Sequence, residues 1–296
     1  MFLDIIKAWY QASRAPFFIA TLIPLSLGGI LAWKDQGWDM TIWLIILTAS
    51  FFVHLNTNLA NDYFEYFSGA DDKESIGGSR VLQEGKISLS QIKYVMIVLY
   101  SIAFLLGLWI LVATKVWWLI IIMFFSFFSS LFYTAPPIRY GYHGFGELLV
   151  GINMGPVMVV GTYTALTGYL SLNAIAIAIP IGFLVAMILF YQSLSDIETD
   201  KRTGKNTLAA QIGRNRSILV FKVFVLTVLS AMILLVCFDL IHPLGLLSLI
   251  TAIPAYKINR MICQCEKWQE FHNRGDKVRL FYLTNGIILI AAVALR

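Results

Sequence analysis

Residues 41–72 join a long apolar segment to a strongly polar end, and they read TIWLIILTASFFVHLNTNLANDYFEYFSGADD. The apolar part, 41–67, is longer than the roughly 20 residues that a transmembrane helix needs. Its carboxylates and amides fall at helical spacing or just past the predicted helix end, at Asn58, Asn61, Asp62, Glu65, Asp71 and Asp72. Helical spacing puts the first four on one face. So many polar groups at the end of a membrane span indicate a functional site.

A second acidic stretch, residues 191–205, reads YQSLSDIETDKRTGK. Gln192, Asp196 and Asp200 step by four along one helical face, again where an apolar run meets a polar loop. Two acidic helix ends of this kind predict one shared metal cluster.

The composition places the chain in a membrane. With 58% hydrophobic and 13% charged residues and a mean hydropathy of +0.75, the chain has too much apolar surface for a water-soluble core. Nine segments are predicted to span the membrane, at about 15–33, 41–67, 90–113, 116–134, 145–167, 173–196, 216–238, 242–262 and 278–295. The predicted fold class is all-α: a multi-pass transmembrane bundle of about nine helices around a central cavity, with a polar cap on the cytoplasmic side. One domain is expected over 1–296, with paired acidic motifs at 58–72 and 192–205.

The basic residues are distributed unequally between the predicted loops. Of 22 Lys and Arg residues, 19 fall on one side if the nine spans alternate, and only Lys34, Lys115 and Arg296 fall on the other. Cytoplasmic loops carry an excess of Lys and Arg. The protein is therefore expected in the cell membrane, with its amino terminus and both acidic motifs facing the cytoplasm.

Each acidic stretch is followed by a loop with glycine, cations and a hydroxyl residue, at 73–86 and 201–214. This recurrence predicts an internal pseudo-repeat whose two loops cover one central cavity. Within the fifth span, Pro156 predicts a kink. His54, inside the second span, is interpreted as a hydrogen-bonded packing residue.

The chemistry follows from the residue types. Facing carboxylates repel one another unless cations neutralise them, and oxygen ligands without His or Cys favour Mg²⁺ shared with a substrate phosphate. The cations beside each acidic stretch suit diphosphate oxygens, and an apolar cavity beyond them suits a hydrocarbon tail. The predicted reaction is ionisation of an allylic diphosphate, with aromatic faces near the allylic cation and an electron-rich ring as the acceptor.

Several motifs together carry a family resemblance: Asn58-Leu59-Ala60-Asn61-Asp62-Tyr63, Gly69-Ala70-Asp71, Asp196-Ile197-Glu198-Thr199-Asp200, Gly204-Lys205-Asn206-Thr207-Leu208-Ala209, Tyr133-Thr134, Tyr140-Gly141-Tyr142, Gly144-Phe145-Gly146-Glu147 and Gly161-Thr162-Tyr163. The chain resembles the UbiA superfamily of intramembrane aromatic prenyltransferases. It is most similar to the branch that prenylates 1,4-dihydroxy-2-naphthoate on the way to menaquinone.

The resemblance implies site residues in three groups. Mg²⁺ and the bound diphosphate would be held by Asn61, Asp62, Glu65, Asp71, Asp196 and Asp200. Further diphosphate contacts would come from Arg80, Lys86, Lys201 and Lys205. Tyr133 and Arg139 would lie near the leaving group or the acceptor and, with Asp62 and Asp196, take part in catalysis.

The chain departs from the family pattern at three places. Glu65 stands where Asp is usual. Gln192-Ser193 replaces a frequent Asn pair, and Arg14-Ala15-Pro16 replaces Arg-Pro-Lys. The last two departures lie where the acceptor could touch the first and sixth spans.

The residues alone leave other functions open. A secondary transporter would place its site near the membrane midplane, and a phosphotransferase would hold its acids in one continuous motif. Within prenyl transfer, 4-hydroxybenzoate, homogentisate and a glycerol phosphate lipid are alternative acceptors. The expected partners are a polyprenyl diphosphate, an aromatic acceptor and membrane lipids, with no nucleic acid, and the sequence fixes no oligomeric state.

Overall fold

The computed structural model describes residues 2–69, 78–265 and 275–296. Within these ranges the chain forms twelve α-helices: α1 Phe2–Ser13, α2 Ile19–Lys34, α3 Met40–Ser68, α4 Leu89–Thr114, α5 Leu119–Phe132, α6 Gly146–Ile152, α7 Met158–Thr167, α8 Leu172–Ser195, α9 Ile197–Arg202, α10 Leu208–Cys237, α11 Ala252–Gln264 and α12 Asp276–Ala294. The predicted all-α class is confirmed.

Most of the predicted spans are helices of membrane-crossing length. Six segments of the described chain are long and apolar enough to cross alone: Met40–Ser68, Leu89–Thr114, Gly146–Thr167, Leu172–Ser195, Leu208–Cys237 and Asp276–Ala294. Leu3–Phe17 and Ile19–Lys34 form a further pair, bent by 50°. The protein is therefore a multi-pass integral membrane protein.

Several predicted spans differ in detail from the structure. A separate helix, α1, precedes the first span: the helix breaks at Arg14, which has a left-handed φ of 50°, and a 3₁₀ turn, Ala15–Phe17, which contains Pro16, follows. Helix α5 has only 14 residues. The eighth predicted span, 242–262, is divided into a 3₁₀ helix, Pro243–Thr251, and α11.

Local sequence signals fix the helix ends. The Asp39 carboxylate accepts a hydrogen bond from the Ile42 N–H at the start of α3. Ser88 and Gln91 form a capping box at the start of α4. Gly69 ends α3 with a φ of 70°, a conformation that glycine adopts without strain. The helix that carries the first acidic face therefore ends at Ser68.

Glycines allow two close helix contacts. A Cβ on Gly28 would come within 2.6 Å of the Val159 carbonyl oxygen, so α2 and α7 pack backbone to backbone. A Cβ on Gly155 would come within 2.4 Å of the Gly182 Cα. Gly155 lies in a π-helical turn, Asn153–Val157, that joins α6 to α7. The structure thus has a π turn at the position where Pro156 predicts a kink.

Helix α8 lies at the centre of the bundle and is the most buried of the six spanning segments. Its residues Ile181, Leu184 and Phe190 are part of the hydrophobic core. The buried Thr21 side chain shares a hydrogen bond of 2.6 Å with the partly buried His54 ring, which agrees with a packing role for His54.

One end of the bundle carries a separate polar network. The Lys34 ammonium donates to the Val293 carbonyl, and the Arg296 guanidinium donates to the Leu240 carbonyl. The Asp35 carboxylate accepts a hydrogen bond of 2.5 Å from the buried Tyr163 hydroxyl. Lys34 and Arg296, two of the three cations on the less basic side of the bundle, thus lie at the same end as Tyr163.

Candidate functional site

A cavity of about 470 Å³ brings the two acidic helix ends together. Its walls include seven of the predicted site residues: Asn61, Glu65, Arg80, Tyr133, Asp196, Asp200 and Lys205. The first polar stretch contributes through α3, and the second through the end of α8, α9 and the following loop. Residues separated by more than 130 positions therefore share one site.

Lys205 is the cation that joins the two acidic stretches. Its Nζ lies 2.7 Å from Glu65 Oε1 and 3.9 Å from Asp200 Oδ1. Burial acts to lower the pKa of Lys205, but the charges of Glu65 and Asp200 hold that pKa well above its ordinary value. The ammonium therefore stays charged and neutralises part of the acidic wall.

Asp200 is held in a defined orientation. The Thr207 hydroxyl donates a 3.0 Å hydrogen bond to Asp200 Oδ2, and Thr207 also caps α10. Burial raises the pKa of Asp200 to about 7, although the Lys205 charge acts in the opposite direction. A cation that approaches this buried carboxyl group would stabilise its ionised form.

Asp62 lies behind the cavity wall, with a side chain only 3% exposed. Its Oδ1 accepts a hydrogen bond of 2.5 Å from the Arg14 guanidinium and one of 3.2 Å from the Ser79 N–H. The Ser79 hydroxyl donates to Oδ2. Asp62 thus ties the start of the first span, α3 and the loop before α4 to one another.

The segment after α5 forms another part of the wall. The Thr134 hydroxyl donates to Asn61 Oδ1 at 3.2 Å. Tyr133 is buried, and its ring packs so closely on Gly141 that a Cβ there would come within 2.9 Å of it. The Tyr142 hydroxyl shares a hydrogen bond of 3.0 Å with the Ser68 hydroxyl. These contacts fix the Tyr-Gly-Tyr segment against the end of α3.

Three predicted cations do not line this cavity in the part of the chain that the structure describes: Lys86, Lys201 and Arg139. Lys86 donates to the Gln11 side chain at 2.8 Å and pairs with Glu84. Arg139 lies over the Tyr142 ring, 5.6 Å from its centroid, and Lys201 is exposed. Asp71 and Asp72 lie outside the described residues.

The sequence reasoning missed several residues of the wall. Gln11, Phe17, Ser79 and Arg279 line the cavity. Arg279 stands in the first turn of the last helix, for which the sequence predicts only an apolar span. Long-range packing brings it to the site, and the local pattern carries no signal of this.

The donors in the wall fit Mg²⁺. Asn61, Glu65, Asp196 and Asp200 offer hard oxygen ligands, and no His or Cys lines the cavity within residues 2–69, 78–265 and 275–296. The same ranges contain no group of three or more His, Cys, Asp or Glu side chains already arranged to hold a metal. Mg²⁺ is commonly held by one or two carboxylates together with substrate phosphate and water, so this donor set suits it.

A second cavity, of about 610 Å³, lies among α3, α4, α5 and α7. Its walls are chiefly apolar and include Ile46, Val53, Phe104 and Met123. Helix α3 lines both cavities. Val53 lines the apolar cavity and Asn61 lines the polar one, and the two residues are eight positions, or about 12 Å of helix, apart. A polar and an apolar compartment therefore lie along one helix.

The chain is similar in sequence to known proteins over most of its length. It is 33% identical over 210 residues to the 1,4-dihydroxy-2-naphthoate octaprenyltransferase of Bacillus subtilis, which covers 71% of this chain and 67% of that protein. It is 30% identical over 286 residues to UbiA prenyltransferase domain-containing protein 1 of Danio rerio, covering 95% of this chain and 84% of that protein.

A solved structure shares the fold. The UbiA homolog from Archaeoglobus fulgidus bound to GPP and Mg²⁺ superposes with a TM-score of 0.66 at 15% identity, over 96% of this chain and 99% of that chain. The model of the UbiA prenyltransferase family matches residues 21–267. Because that match covers most of the chain and agrees with the fold, this protein is a prenyltransferase that belongs to the UbiA family.

Proposed function

We propose that this protein transfers a polyprenyl group from an allylic polyprenyl diphosphate to 1,4-dihydroxy-2-naphthoate within the membrane. The observation that carries the proposal is the meeting of Glu65 and Asp200 at Lys205 inside one cavity. Acidic groups and a fixed cation at one end of a membrane bundle suit a diphosphate with its metal ions. Residues 1–296 would act as one domain, since both acidic motifs contribute to this cavity.

The polar cavity would bind the diphosphate. Asn61, Glu65, Asp196 and Asp200 would hold Mg²⁺, together with Asp71, which the sequence adds to this group. Bound Mg²⁺ would neutralise the charge of the departing diphosphate. Lys205 and Arg80 would contact the remaining diphosphate oxygens. Asp62 would act from behind the wall by orienting Arg14 and Ser79.

The apolar cavity would bind the polyprenyl tail. Its walls carry few polar atoms, so a hydrocarbon chain loses little by leaving the bilayer for this space. Its position along α3 suits a ligand whose head lies beside Asn61 and whose tail extends past Val53. Enclosure of the reacting carbon would also keep water from the allylic cation.

The acceptor is the finer part of the proposal. The Bacillus subtilis relative is a 1,4-dihydroxy-2-naphthoate octaprenyltransferase, and so are relatives from Haemophilus influenzae and Escherichia coli. In the proposed reaction the ring carbon that bears the carboxylate bonds to C1 of the prenyl group. The C1–O bond breaks and its electron pair leaves with the diphosphate, while the carboxylate departs as carbon dioxide.

The cation distribution supports an orientation. We place the site, the amino terminus and the basic loops on the cytoplasmic side of the cell membrane, because Lys and Arg are strongly concentrated at that end. Surrounding lipids and the two substrates would be the partners of the protein.

An acceptor competition experiment tests the proposed function. The purified protein is incubated with Mg²⁺, geranylgeranyl diphosphate and an equimolar mixture of 1,4-dihydroxy-2-naphthoate and 4-hydroxybenzoate. We expect a naphthoate product about 44 mass units lighter than simple addition would give, from the loss of carbon dioxide. If mass spectrometry finds only a hydroxybenzoate product, the proposed acceptor is wrong, but the proposed prenyl transfer still holds. Homogentisate and a glycerol phosphate lipid, tested separately, cover the other acceptors.

A further inference from the structure

The last helix brings an arginine to the polar cavity. Gly275, Val278 and Arg279 line it together, and their spacing places them on one face at the start of α12. Helix α12 packs against both α2 and α8. Two departures from the family pattern lie beside these helices: Arg14-Ala15-Pro16 shortly before α2, and Gln192-Ser193 near the end of α8.

Among residues 2–69, 78–265 and 275–296, the surroundings of Arg279 leave its charge available to a ligand. Its guanidinium lies over the Phe17 ring, 4.9 Å from the centroid, and its side chain is 24% exposed. Its acidic partner is Asp276, one helical turn earlier, whose side chain is 78% exposed. An ion pair with so exposed a carboxylate is weak and screened by salt.

Two other cations of the same wall have buried acidic partners. Arg14 pairs with Asp62, which is 3% exposed. Lys205 pairs with Glu65 and Asp200. A carboxylate ligand beside either of them would meet protein carboxylates of the same sign. Arg279 differs, because its partner Asp276 is mostly exposed to solvent rather than buried at the site.

We propose that Arg279 binds the carboxylate of the aromatic acceptor, and that the Phe17 ring holds the guanidinium in place for it. The proposal rests on the proposed function and deepens it by naming the group that recognises the acid. A planar guanidinium matches a carboxylate through two parallel N–H···O bonds, whereas in the proposed function other cations would bind the diphosphate. Arg279 would thereby favour aromatic acids over neutral phenols and set the orientation of the ring.

The test compares R279Q, R279K and the matched variant K277Q, which removes a positive charge from an exposed position in the same helical turn. Two acceptors are used: 1,4-dihydroxy-2-naphthoate, and 1,4-dihydroxynaphthalene, which lacks the carboxylate. For R279Q we expect the KM of the acid to rise about 10- to 100-fold, the range for a charged hydrogen-bonded contact. The KM values of the neutral acceptor and of the prenyl diphosphate should change less than about 2-fold. R279K should recover part of the loss, and K277Q should behave like the wild type.

Activity with the neutral acceptor shows that a variant is folded, and thermal melting of R279K provides a second check. An unchanged KM for the acid in R279Q, or an equal rise for both acceptors, would overturn the role of Arg279. Failure of the wild type to prenylate the naphthoate would instead count against the proposed function. In that case calorimetric binding of the acid to wild-type and R279Q protein decides the question: weaker binding by R279Q supports the carboxylate site, and equal binding overturns it.

Discussion

Lys205 Nζ lies 2.7 Å from Glu65 Oε1 and so connects the loop after α9 to the end of α3. Asp200 Oδ1 lies on the same ammonium at 3.9 Å. Opposite charges that are mostly removed from water depend strongly on each other, because neither has enough solvent to replace its partner. The Lys205 ammonium therefore holds the two segments of the site together and also balances the negative charge of their carboxylates.

Replacing Lys205 tests this coupling. Lys205→Met should lower turnover at least about 100-fold and destabilise the protein by roughly 3–5 kcal/mol, because it leaves buried carboxylates without a cation. Activity assays and thermal melting in detergent measure the two effects. Lys201→Met, at an exposed position outside the cavity lining, is the matched control and should stay near wild type. The double variant Lys205→Met/Glu65→Gln should regain stability but not turnover, and full activity of Lys205→Met would exclude the proposed site.

Metal removal tests the acidic wall. Chelation with EDTA should abolish turnover, and excess Mg²⁺ should restore it, because Asn61, Glu65, Asp196 and Asp200 would share Mg²⁺ with the diphosphate. Mg²⁺ and a diphosphate together should also raise the melting temperature, since ligands that bind only the folded state stabilise it. Unchanged turnover after exhaustive chelation would rule out the metal.

Substitutions separate the site from the rest of the chain. Asp62→Ala should remove activity, because it leaves the Arg14 guanidinium without its buried partner. Asp196→Ala should do the same by removing a donor from the cavity wall. The exposed residue Cys237 lies outside that wall, so Cys237→Ala should stay within a few-fold of wild type, as should Cys263→Ala. Larger losses in the cysteine variants would show that the site is misplaced.

Two glycines on the α6–α7 segment form a matched pair for stability. Gly155→Ala should destabilise the protein by roughly 1–3 kcal/mol, because the new Cβ would lie 2.4 Å from the Gly182 Cα and the helices would have to separate. Gly161→Ala would place its Cβ 3.5 Å from the Ile122 side chain, an ordinary contact. Thermal melting should show a clear loss only for Gly155→Ala. Equal losses in both would mean that close packing at Gly182 is unimportant.

The sequence predicts the fold well because the decisive signal is local. A span of apolar residues needs only its own length to be recognised, and most of the nine predicted spans are helices. The boundaries are less predictable where Pro or Gly changes the backbone. One example is α10, which begins at Leu208 and contains a break at Gly213, where the sequence predicts a span from residue 216.

The candidate site was predictable in part, for the same reason. Glu65, Asp200 and Lys205 lie in short polar motifs, which identify themselves at the end of apolar runs. Arg279 has no such motif, and the packing of α12 against α2 and α8 brings it to the cavity. Tyr163 shows the opposite case: it lies in a motif similar to the family, yet its hydroxyl bonds to Asp35 away from the acidic wall.

The π turn at Asn153–Val157 has a consequence for how the chain tolerates insertions and deletions. The Met158 N–H donates to the Asn153 carbonyl, five residues back, so this turn holds one residue more than an α-helix would. Each helical residue advances the side-chain direction by about 100°. Because the wider turn takes up the extra residue, loss of one residue here would restore α-helical bonding and leave the directions of Glu147 and Tyr163 nearly unchanged, whereas loss of a residue elsewhere in the span would turn them by that angle relative to each other. The π turn is therefore the position at which this span best tolerates the loss of one residue.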